Sequence, residues 1–146
     1  MHWANVQRQA LRMRPLRVAG TPGAAAALAG LGAEGVATAV WPASGGHIAE
    51  PRAHAARPDV VLIGPEVTAE GIAAFERRRL PFATVGHAPA VNPYGFCIGT
   101  APAGAVADPA GQAVNAWLLE ALDAWRARHV GFTTPLPGPA AAAASS

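Results

Sequence analysis

Two short apolar runs, each halted by glycine, bracket a stretch of helical spacing near the middle of the chain. The runs are Pro58-Asp59-Val60-Val61-Leu62-Ile63-Gly64-Pro65 and Leu80-Pro81-Phe82-Ala83-Thr84-Val85-Gly86-His87. Between them, residues 68–79 carry Ile72, Ala73 and Phe75 among polar positions and predict a helix. This is one β-α-β unit, and such units pair their strands in parallel with a right-handed crossover. Uninterrupted apolar strands are covered on both faces, so Val60, Val61, Leu62, Ile63, Phe82 and Val85 are expected at the centre of the sheet. Ligands of open parallel sheets collect at the carboxyl ends of the strands, which draws attention to Gly64, Pro65, Glu66, Gly86 and His87.

The rest of the pattern extends the alternation. Residues 3–13 predict a short basic helix ended by Pro15, and residues 16–19 a first strand. Thr21-Pro22-Gly23 reads as a turn, 24–31 as an alanine-rich helix stopping at Gly32, and 36–41 as a second strand. Residues 42–46 read as a loop and 47–57 as a poor helix broken by Pro51. A fifth strand falls at 95–98 and a sixth at 130–133. Between these two, Asp108-Pro109 is an N-cap pair. Val114, Trp117, Leu118, Ala121, Leu122 and Trp125 then recur at helical spacing, predicting a helix over 109–127. The fold class expected is α/β, a mostly parallel sheet of five or six strands with helices on both faces, as in a Rossmann-like or flavodoxin-like lobe. Residues 1–15 form a basic helical leader, 16–134 a single lobe, and 135–146 a Pro/Ala-rich tail expected to be disordered.

Composition refines this picture in three places. The chain of 146 residues is long enough for one domain with a core, but its 51% hydrophobic content is largely alanine and only 6% is aromatic, so each side chain buries little area. The net charge of +2 does not by itself argue for a nucleic-acid partner, although Arg8, Arg12, Arg14 and Arg17 precede the first acid, Glu34. One cysteine, Cys97, excludes an internal disulfide and fits a reducing compartment. No run is apolar for long enough to span a bilayer, and the N-terminus lacks the apolar core of a secretory signal, so a cytoplasmic location is expected.

Candidate chemistry is sparse. His2, His47, His54, His87 and His129 show no metal-ligand spacing. Ser44-Gly45-Gly46-His47 follows a strand, where backbone amides can cradle phosphate, but it matches no phosphate-loop pattern and a plain turn accounts for it. Cys97 has no adjacent cation to activate it and reads as a structural thiol. The leading arginines suit phosphate contacts, and a solvated basic tail accounts for them as well. No carboxylate pair, nucleophile elbow or Ser/His/Asp order emerges, so binding is expected, with no enzymatic activity, metal or cofactor.

Five segments in order carry a resemblance to a known family. They are 5–12 (Asn-Val-Gln-Arg-Gln-Ala-Leu-Arg), 57–65, 80–87, 98–105 (Ile-Gly-Thr-Ala-Pro-Ala-Gly-Ala), and Trp117-Leu-Leu-Glu120 followed by 128–133 (Arg-His-Val-Gly-Phe-Thr). Together they resemble the sensor half of LacI/GalR-type transcription regulators, whose fold is that of the type I periplasmic binding proteins. The resemblance implies a lobe that lacks the family's helix-turn-helix and second lobe, with Ala101-Pro102 where the family has Asp-Asn. It implies a small sugar-like effector held by Thr21, Ser44, Gly64, Glu66 and His87, with Glu66 accepting from sugar hydroxyls. His87 stands where the family often carries arginine, so an anionic contact there would depend on pH.

The resemblance further implies a hinge in which Leu11 wedges into the minor groove, flanked by Arg8 and Arg12, giving weak, non-specific, salt-sensitive DNA binding. A homodimer is expected on the helix bearing Trp117 and Trp125, if either ring stays outside the core. Two other families share the pattern. Sugar phosphotransferase IIB subunits show a strand like 59–67 and a segment like 94–99. Response-regulator receivers show a strand like 57–64. Here Ala19-Gly20 and Gly64 stand at their phosphoacceptor positions, which implies a module without phosphotransfer.

Overall fold

Val60–Ile63 lies at the middle of a five-stranded parallel sheet and is buried along its whole length. The structure is a computed structural model and describes residues 16–49, 57–86 and 94–128. Its elements are β1 (Arg17–Gly20), a 3-10 turn (Pro22–Ala24) leading into α1 (Ala25–Ala33), and β2 (Ala37–Val40). A hairpin of β3 (Ala43–Ser44) and β4 (His47–Ile48) follows, then β5 (Val60–Ile63), α2 (Ala69–Glu76) and β6 (Phe82–Val85). The described part ends with β7 (Cys97–Ala101), α3 (Ala103–Ala107) and α4 (Gln112–Arg128).

The main sheet has the order β2-β1-β5-β6-β7, every neighbour parallel. This is an α/β lobe of the Rossmann-like or flavodoxin-like kind. Side chains of a strand alternate between faces, and the two halves of the core follow that period. Val18, Val60, Leu62, Ala83 and Val85 face α1 and α4, whereas Ala19, Val61, Ile63 and Phe82 face α2. On the second face Phe75 stands edge-on to both Trp41 and Phe82, with centroids 6.3 and 6.0 Å away. All six residues expected at the centre of the sheet are buried there.

Local chemistry sets several boundaries differently from the sequence reading. The first helix runs through Gly32 and stops where Gly35 takes φ of 83°. The amides of Gly35 and Val36 bond the carbonyls of Gly32 and Leu31, so Gly35 and not Gly32 is the left-handed residue that ends the helix. Residues 43–48 form a tight hairpin in place of a loop and the start of a helix, because Gly45 and Gly46 supply two consecutive positive φ angles. The last helix starts at Gln112, since Asp108 bonds the amide of Ala110 and Gly111 (φ 76°) lets the chain pass against Gly30 of α1. The expected helix over 47–57 falls partly, and the sixth strand, the basic leader and the tail wholly, outside the described residues.

Candidate functional site

Strand order reverses between β1 and β5: the chain leaves β1 toward β2 on one side and returns to β5 on the other. Such a reversal opens a crevice at the carboxyl ends of the two strands, because their following connections diverge to opposite faces. The connections here are Thr21-Pro22-Gly23 and Gly64-Pro65-Glu66, and they are bonded to one another.

Thr21 is the centre of that bonding. It precedes Pro22 and is the N-cap of the helical run, yet its hydroxyl does not cap its own helix. Instead Oγ1 accepts from the amide of Gly64 at 2.8 Å and donates to Oε1 of Glu66 at 3.0 Å. Its own amide donates to the Leu62 carbonyl at 3.0 Å, and the residue is fully buried. The free amide of the first helical turn, that of Gly23, donates to Oε2 of Glu66. A glutamate 45 residues along the chain from Thr21 therefore does the capping that a neighbouring side chain usually does.

Two glycines make room for this arrangement. A Cβ on Gly23 or on Gly64 would run into the Glu66 carboxylate, and one on Gly64 would also strike the Gly23 backbone. Glu66 itself is exposed. A carboxylate offers about four lone-pair sites, and the bonds to Thr21 and Gly23 use two of them.

The remaining sequence candidates surround this core to different degrees. Gly86, with φ of 74°, closes β6 beside the Pro65 ring, which brings the end of β6 to the same edge. His87 lies outside the described residues. Ser44 is exposed on the β3–β4 hairpin, which is tied to the start of α2. There the Gly46 carbonyl accepts from the Thr68 amide at 3.0 Å and its hydroxyl at 3.3 Å. That tie lies two residues past Glu66, so the hairpin belongs to the carboxyl edge, but Ser44 makes no bond to Thr21, Gly64 or Glu66. Arg8, Leu11 and Arg12 of the DNA expectation lie outside the described residues. Gly23 was read only as part of a turn. The order Thr-Pro-Gly before an alanine-rich helix was its signal, because it leaves an unused amide one residue inside the helix.

A second polar cluster lies at the opposite, amino edge. Glu76 closes α2 and is 1% exposed. Its Oε2 accepts from the Tyr94 amide at 3.0 Å, while Oε1 has no hydrogen-bond partner. Burial pushes its carboxyl up, and the Tyr94 amide offsets part of that rise. Burial likewise pushes the Cys97 thiol up; the Gly99 carbonyl lowers it somewhat, and the charge of Glu76 raises it further. A thiol so placed is poorly disposed to act as a nucleophile. Among the described residues, no group of three metal-ligating side chains is present and no helix is long and apolar enough to cross a membrane.

The two rings on the helix expected to carry an association surface both meet the core to some degree. Trp125 is 4% exposed and donates from Nε1 to the Gly95 carbonyl at 2.6 Å, and Trp117 is half-buried against Gly99. No protein-family model, characterised protein or solved structure matches this chain.

Proposed function

We propose that this chain is a non-enzymatic ligand-sensing lobe, similar in plan to the sensor half of LacI/GalR-type regulators, that binds a small sugar-like effector. The crevice between β1 and β5 is the binding place. One observation carries the reading: the carboxylate of exposed Glu66 is fixed at the strand reversal by the Thr21 hydroxyl and Gly23 amide, with acceptor capacity that these two bonds leave unused. Adjacent hydroxyls of a sugar ring are donors of matching kind and spacing. A carboxylate already held in place loses little freedom on accepting them, which favours binding. Ser44, exposed on the nearby hairpin, offers a further hydroxyl.

A thermal-shift screen against neutral sugars, nucleosides and phosphosugars tests this proposal, followed by calorimetry on the strongest ligand. A neutral polyol that binds wild type and weakens about tenfold or more in Glu66→Ala supports it. A ligand that binds both equally places the site elsewhere.

A further inference from the structure

We propose that Glu66 is a built-in occupant of an anion seat, and that its carboxylate keeps the crevice for neutral hydroxylated ligands and shuts out phosphorylated ones. The choice of neutral hydroxylated ligands rests on the sensor reading above. The occupied seat rests on geometry alone.

The seat consists of the Gly23 amide, at the start of the helical run from Pro22 to Ala33, and the buried hydroxyl of Thr21. Amides in a first helical turn favour negative charge, and here that charge is supplied from within the chain. The fit is close: the space a side chain at 23 or 64 would need is the space the carboxylate fills. Thr21 has given up capping its own helix to bond Glu66 and Gly64. Among the described residues no cation is bonded to Glu66, and the Gly23 amide and Thr21 hydroxyl hold it. A phosphate group approaching this edge would meet a full negative charge where a phosphate-binding loop presents free amides. A sugar hydroxyl would meet an acceptor. Removing the carboxylate therefore reverses the preference of the site without altering the backbone that forms it.

The test uses the full chain, labelled with nitrogen-15, and inorganic phosphate as the probe. Amide signals of Gly23 and Gly64 are followed in wild type, Glu66→Ala and the double variant Glu66→Ala/Gly23→Ala, with Glu66→Ser as a second way to vacate the seat. In wild type these signals should show no saturable change. In Glu66→Ala and Glu66→Ser they should saturate at least about tenfold more tightly than any wild-type response. The double variant should lose the response, because the added methyl group fills the vacated seat. The proposal is overturned if wild type binds phosphate at Gly23 as tightly as the single variants do. It is equally overturned if both single variants, with wild-type signal dispersion, leave Gly23 unmoved. If no neutral sugar shifts any amide in wild type, the sensor reading fails while the phosphate comparison still decides the role of Glu66.

Discussion

At the scale of single residues, Thr21 joins two strands and a loop through one hydroxyl. Thr21→Val keeps the shape but removes the acceptor for the Gly64 amide and the donor to Glu66. A buried amide left unpaired costs about 1–3 kcal/mol, and that loss is expected in urea denaturation, with Thr21→Ser recovering most of it. Glu76 gives a prediction that depends on pH. Its folded value lies above the ordinary 4.5, so the folded state holds this proton more tightly than the unfolded chain does. Its contribution is fully present below 4.5 and is lost as pH rises through the folded value. Glu76→Gln keeps an acceptor for Tyr94 and carries no charge. It should therefore be more stable than wild type at neutral pH, with the gap closing below the ordinary value. A variant less stable than wild type at neutral pH would contradict this. The place of Gly64 and Glu66 at the carboxyl end of β5 was legible because glycine halts an apolar strand there. Gly23 and Glu76 were not: the first matters through the direction of its amide, and the second through a burial that only the packing of α2 against residues 94–97 creates.

At the scale of elements, glycines distinguish close approach from mere turning. Gly71 sits where α2 receives the β3–β4 hairpin, and a Cβ there would run into the Gly46 carbonyl. Gly32 lies on the exposed side of α1 with nothing near it. Alanine suits a helix interior better than glycine by about 0.5–1 kcal/mol, so Gly32→Ala should stabilise by roughly that amount. Gly71→Ala should destabilise by about 1 kcal/mol or more, because a backbone carbonyl must move. Melting temperatures of the two variants shifting the same way would contradict this account of the hairpin. The β-α-β unit around β5 was legible because its strands are apolar throughout and Thr68 caps α2 by accepting from the Gly71 amide. The hairpin was not, since four residues and two glycines carry no periodicity. The short helix α3, which precedes the expected helix over 109–127, was hidden too, because Ala103 to Ala107 look like loop beside Pro102 and Pro109.

At the scale of the molecule, the sheet order places the two polar clusters at opposite edges. The carboxyl edge holds buried Thr21 and Gly64 and exposed Glu66, joined by hydrogen bonds. The amino edge holds Glu76, which accepts from the Tyr94 amide, and Cys97 at the start of β7. The two halves of the core, one under α1 and α4 and the other under α2, cover the two faces of the sheet, and β1 and β5 pair directly between them. Parallel pairing and burial of the middle strands followed from the apolar runs. The order that puts β1 beside β5, which locates the crevice, follows from handedness and layer covering and was readable only as an expectation. Mapping a bound ligand tests the central claim, that effector binding occurs at the reversal between β1 and β5. With the strongest neutral sugar from the screen at saturation, the nitrogen-15 amide spectrum should shift at Thr21, Gly23, Gly64 and Glu66 and stay still at Glu76, Tyr94 and Cys97. Shifts confined to the amino edge, with the four carboxyl-edge residues unmoved, would contradict it.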